Sequence, residues 1–144
     1  MYTKYEQALN FKYASDRCLM TIRQGGIEYL PIPYMVNSAF ACEIFLKAIL
    51  EQKRIKYGKN HMLYELYKLL PKEIKEHLER VINEKDFDKK LRDCSNVFVD
   101  FRYIYENIFK AEKIDLTFWE TFVNTIFEYS KNNLEKGENV TIEM

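Results

Sequence analysis

The chain has 144 residues, 47% of them hydrophobic and 31% charged, and its 22 basic and 22 acidic residues cancel to a formal net charge of zero. It is long enough to bury a core without disulfides or metals, and its composition excludes a disordered polymer and a global basic field of the kind that advertises nucleic-acid binding. Four Gly and three Pro leave too little turn chemistry for an all-β fold, so a single all-α domain is expected.

The first helix is predicted over Tyr2 to Gln24, stopping at Gly25-Gly26, where glycine supplies a left-handed exit. A short connection with two prolines, Ile27 to Pro33, leads to a second helix from Tyr34 to Lys53. Its Met35, Ala39, Cys42, Leu46 and Ile49 step by four and three into one apolar stripe, which Phe40, Phe45 and Leu50 widen, so this helix is placed at the centre of the fold. A basic turn, Lys53 to Lys59, then leads to Asn60 as the N-cap of a third helix carrying Leu63, Leu66, Leu69 and Leu70. Pro71 takes the first position of a short fourth helix ending at Asn83.

The fifth helix is predicted from Asp86 to Ala111, with Leu91, Cys94, Phe98, Phe101, Tyr105 and Ile108 as its stripe. The sixth starts at Thr117, with Glu120 three residues on as a capping box, and ends near Gly137. About five to six helices with short connections predict an antiparallel helical bundle over residues 1–137, followed by a flexible tail at 138–144.

Eleven Tyr, ten Phe and one Trp suit an aromatic core, and also a subunit interface or a stacking surface. Cys18, Cys42 and Cys94 are odd in number and widely spaced, and only two His are present, so neither a disulfide framework nor a metal site is expected. Cys42 and Cys94 fall on apolar faces as small buried hydrophobes. The polar N-terminus does not resemble a signal peptide, and no stretch approaches the roughly 18 apolar residues of a membrane helix. A cytoplasmic protein with no membrane contact is the expectation. No cofactor-binding motif is visible: there is no Gly-rich phosphate loop, GxSxG or HExxH.

Charge is unevenly spread. Lys47 to Lys59 holds five basic residues and one acid, whereas Glu112 to Glu143 holds seven acids and three Lys. The first segment can meet phosphate or an acidic partner, or be a solvated loop. Two polar pairs border apolar stripes: Glu43 with Lys47 on the second helix, and Arg102 with Glu106 on the fifth. Each is an ion pair at helical spacing, and on facing helices the two pairs would make a buried network. Alternatively, Arg102 lies beside a groove to bind phosphate, with carboxylates orienting it. His61 is placed at the start of the third helix, as a cap, a surface residue or a general base. His77, in a polar run, is expected to be exposed.

These runs resemble the HEPN family. AFACEIFLKAIL resembles its second helix, where a Glu and a Lys four apart sit inside an apolar pattern. GKNHMLYELYKLLP resembles its His-x-Leu-x-x-Leu segment, and FRYIYE its Arg-Tyr-x-Tyr-Glu segment. The three span about residues 31–109. The resemblance implies a bundle of four to five helices that dimerises through its long helices. It also implies a setting in prokaryotic toxin–antitoxin or anti-phage defence, with RNA as a target and a nucleotidyltransferase-type antitoxin or a defence-system protein as partner. Many members are metal-independent endoribonucleases whose Arg is followed, after four to six residues, by a His. Here Arg102 matches the Arg, while the window for the His holds Asn107, Ile108 and Phe109, and Tyr103 follows the Arg.

Three expectations follow. In the first, a HEPN-type homodimer binds RNA or nucleotide around Arg102. In its catalytic form Arg102 holds the scissile phosphate and His61 is the base, with Tyr105 or Glu106 as substitutes. In the second, the domain is a non-catalytic assembly module, and Glu43, Lys47, Arg102 and Glu106 fix helix register. In the third, Tyr103 or Tyr105 is modified by the partner.

Overall fold

The structure, a computed structural model, describes residues 3–23, 31–98 and 114–134. Within them are six helices: α1 (Lys4–Arg23), α2 (Pro31–Gln52), α3 (Leu63–Lys68), α4 (Lys72–Ile82), α5 (Phe87–Phe98) and α6 (Leu116–Asn133). The all-α class expected from periodicity holds.

α2 is the central element. From Phe45 to Leu50 every side chain is buried, Lys47 included, because neighbours cover it on several sides. α1 runs antiparallel to it: Lys4 pairs with Glu51, Tyr5 meets Phe45 and Phe11 meets Phe40. α6 runs along α2 in the same sense, as Trp119 meets Ser38, Phe127 meets Phe45 and Asn133 meets Gln52. Phe87, Tyr67, Phe118 and Phe122 make an aromatic cluster joining α3, α5 and α6, with ring centroids 5.2 to 6.2 Å apart. Much of the aromatic surplus thus fills the core. Two lysines act as cross-braces. Lys12 is almost fully buried, bonds both Asp16 oxygens at 2.7 and 2.8 Å, and stands 4.9 Å over the Phe127 ring. Lys90 joins Glu84 at 3.0 Å and Asp115 at 2.7 Å, tying the α4–α5 connection to the start of α6.

Helix starts differ from expectation for local reasons. Thr3 caps α1 by accepting from the Glu6 N–H at 3.0 Å. α2 begins at Pro31 and takes in Pro33, since prolines fit a first turn whose N–H groups have no intrahelical acceptor. Asn60 is not the cap of α3. Its Oδ1 accepts from the Met62 N–H at 3.0 Å in a turn before the helix, and Met62 occupies the cap position. Methionine cannot accept there, so Ser95 of α5 supplies the missing oxygen, 3.0 Å from the Tyr64 N–H. Leu63, Leu66 and Leu70 are buried, but Leu69 is exposed. Pro71 is the N-cap of α4, not its first residue, and Asn83 ends that helix at φ 53°. α6 is capped by Asp115, which accepts from Phe118 N–H at 2.9 Å, so the expected Thr117–Glu120 box does not form.

Cys42 and Cys94 are buried as expected, and all three cysteines are free thiols. Ile32–Gln52 is long and apolar enough to cross a membrane, which amends the expectation that no stretch reaches that length, and 56% of its most apolar window is buried inside the protein. The fifth helix is described only to Phe98; its expected continuation and the tail at 138–144 lie outside the described residues.

Candidate functional site

Glu43 and Lys47 are one turn apart on α2, so both project from the same face. The chain must then reverse to bring anything else onto that face, and the end of α2 shows how. Arg54 adopts a left-handed φ of 59°. Its N–H reaches the Glu51 carbonyl at 3.0 Å, while the Ile55 N–H reaches back to Leu50 at 2.9 Å. These two bonds satisfy carbonyls that the helix leaves open and fold the chain back along α2. A turn follows, closed by Asn60 N–H on the Tyr57 carbonyl at 3.3 Å, with Gly58 at φ 63°, a conformation that favours glycine.

This returning segment places His61 against α2. Its Nδ1 lies 2.9 Å from Lys47 Nζ and 2.9 Å from Glu43 Oε2, and Lys47 Nζ donates to the same Glu43 oxygen at 2.9 Å. The three polar atoms form a near-equilateral triangle. Its members differ in hydration: the side chains are 11% exposed for Lys47, 20% for Glu43 and 68% for His61. The imidazole is therefore anchored at one nitrogen and open to solvent over most of its surface. His61 sits just before the Met62 cap, not inside α3.

Tyr57 completes the arrangement. Its ring centroid is 5.5 Å from Lys47 Nζ, within cation–π range, and its hydroxyl donates to Glu51 Oε1 at 2.8 Å. Glu51 also pairs with Lys4 of α1 at 3.3 Å. Burial, then the bond to Glu51 and the charges of Glu51 and Glu43, push the Tyr57 phenol well up, so it stays a donor. Lys53, Arg54, Lys56 and Lys59 are exposed on the same returning segment.

The structure thus brings together Glu43, Lys47 and His61. Arg102, Tyr103, Tyr105 and Glu106 lie outside the described residues. His77 is exposed, 6.2 Å from the Tyr129 ring. Tyr57 and Glu51 were not singled out in the sequence: a loop has no periodicity to mark Tyr57, and Glu51 reads as one more helix-end charge. No group of three or more His, Cys, Asp or Glu among the described residues is placed to hold a metal. Chemically, the triangle presents one orientable imidazole beside a cationic loop.

Comparison with known proteins agrees with the residue patterns. The model of the HEPN domain matches residues 34–137. No curated protein and no solved structure matches the chain. The matched span takes in α2 from Tyr34 on, the returning segment with His61, and the helices after it, most of the sequence. The chain belongs to the HEPN domain family.

Proposed function

We propose that this HEPN-domain protein binds RNA or a nucleotide on the face formed by His61 and the Lys53–Lys59 segment. The observation that carries the reading is the largely exposed His61 imidazole, fixed by Lys47 and Glu43 beside four exposed basic residues. Exposed cations and a hydrogen-bond donor held in place are groups that bind phosphate. The wider setting is a prokaryotic toxin–antitoxin or anti-phage system, with a homodimer as the working form and a nucleotidyltransferase-type antitoxin or a defence-system protein as partner.

Endoribonuclease activity is an extension of this reading. It assigns the scissile phosphate to Arg102, with Glu106 or Tyr105 beside it, and proton abstraction from the 2′-OH to His61. The competing reading, an inactive assembly module, draws on the same triangle: Lys47 is nearly buried, as a register-fixing ion pair would be. Tyr103 and Tyr105 are then candidates for modification by the partner.

Titrating labelled single-stranded RNA with wild type and with His61→Ala separates these. The binding reading expects saturable binding, weakened several-fold by the substitution. Absence of binding by the wild type overturns it and leaves the assembly module. Incubation with total RNA adds the catalytic question: cleavage lost in both Arg102→Ala and His61→Ala supports it, and no cleavage by wild type sinks it.

A further inference from the structure

The triangle cannot satisfy all three of its contacts at once. A lysine ammonium only donates, and a carboxylate only accepts. If His61 Nδ1 carries a proton it bonds Glu43 and meets Lys47 donor to donor. If Nδ1 is bare it accepts from Lys47, and the neutral ring then carries its proton on Nε2. Both contacts measure 2.9 Å, so distance does not choose between them.

Hydration does choose. Lys47 is the least exposed of the three, and among the described residues its ammonium meets Glu43, Nδ1 and the Tyr57 ring. Turning Nδ1 into a donor removes one of its partners where little water can replace it, and burying an unmet charged donor is costly. Glu43 loses less, because it keeps Lys47 and is more exposed. The group with the fewer alternatives dictates the arrangement.

We propose that Lys47 holds the neutral His61 ring in the Nε2–H tautomer, so that the exposed edge of the imidazole offers a hydrogen-bond donor and not a base. This deepens the ligand-face reading, on which its functional meaning rests: the ligand atom facing His61 is an acceptor, such as a phosphate oxygen of a bound strand. Lys47 is a positioning residue acting through the ring, with Tyr57 capping its third side. In this resting arrangement His61 abstracts no proton. A cleavage step by this residue would first need the ring to exchange Lys47 for Glu43.

Long-range nitrogen–proton NMR of labelled protein, in buffer alkaline enough for a neutral ring, reads the tautomer directly and needs no RNA. Wild type is expected to show a protonated Nε2 and a bare Nδ1. Lys47→Met should reverse the pattern, because Glu43 becomes the only partner of Nδ1 among the described residues. Glu43→Gln, which leaves Lys47 in place and retains a polar group, should keep the wild-type pattern and serves if Lys47→Met fails to fold. A protonated Nδ1 in wild type, or a reversal caused by Glu43→Gln, overturns the proposal. RNA titration of the same samples is a separate readout, so loss of the ligand-face reading is distinguishable from loss of the tautomer assignment.

Discussion

Ser38 and Ser130 are both fully buried, and the same substitution to Ala has opposite consequences at the two. Ser38 Oγ accepts from the Trp119 indole N–H at 2.8 Å and donates to the Met35 carbonyl at 3.2 Å. Ser38→Ala removes the indole's hydrogen bond to Oγ in the core, so a loss of about 1–3 kcal/mol is expected in chemical denaturation. Ser130 Oγ has no hydrogen-bond partner among the described residues. Ser130→Ala removes an unsatisfied hydroxyl and raises helix propensity, so unchanged or greater stability is expected. A loss at Ser130 matching that at Ser38 would show that the hydroxyl is paired in solution. The cysteines extend the residue-scale contrast. Burial raises Cys42, and burial with nearby Asp93 and Asp115 pushes Cys94 up to about 12, so both stay thiols in the native protein. A thiol reagent should label only the partly exposed Cys18 before unfolding. Because folding raises these two, their contribution to stability is complete at neutral pH and is lost as pH rises from the ordinary thiol range toward the native values.

Among the elements, the two ends that shape the molecule are the C-terminus of α2 and the N-terminus of α6. Arg54 holds a left-handed backbone that costs an L-residue roughly 1–2 kcal/mol, at the position where glycine usually sits. Arg54→Gly should therefore stabilise the fold by up to about 1 kcal/mol, since glycine's extra freedom in the unfolded chain offsets part of the relief. If the loop binds RNA, the same variant loses a cation and binds more weakly. Higher stability with unchanged affinity would show that Arg54 does not touch the strand.

At α6, Asp115→Ala should cost about 0.5–2 kcal/mol through the lost cap, and Asp115→Asn much less. Lys90 first, then the Phe118 N–H, hold the Asp115 carboxyl below its usual range. A depressed carboxyl contributes stability above the ordinary carboxylate pKa and loses it as pH falls toward the native value. The gap between wild type and Asp115→Ala, followed as melting temperature, should narrow on acidification through that window.

These ends also show what could be read from sequence. The helices and the centrality of α2 were legible because apolar stripes repeat at 3.6 residues whatever lies around them. Glu43, Lys47 and His61 were each visible as polar residues beside that pattern. Their meeting was not, because it depends on a left-handed Arg54 and a turn at Gly58 that no periodicity encodes. Caps were misplaced for a related reason. Asn60 and Thr117 are good cap residues locally, but α3 takes its oxygen from Ser95, 31 positions from Tyr64, and Asp115 is fixed by Lys90.

At the scale of the whole molecule, net charge is zero, so any attraction to RNA must come from segregation of charge and not from its sum. Along the chain, the basic residues of the Lys53–Lys59 segment are separated from the acid-rich stretch after Glu112. A strand bound across three or four of those cations releases a matching number of counterions, which for single strands gives a log–log salt slope of about −2 to −3. Replacing Lys53, Arg54, Lys56 and Lys59 with Gln should flatten that slope toward zero and leave the His61 hydrogen bond as a weak, salt-insensitive remainder. Replacing Lys72 and Lys89, exposed on α4 and α5, removes charge elsewhere and should leave the slope unchanged. Anisotropy titrations across a salt series measure both. Equal flattening by the two sets would mean that RNA responds to net charge alone, and the face containing His61 would lose its claim to be the binding surface.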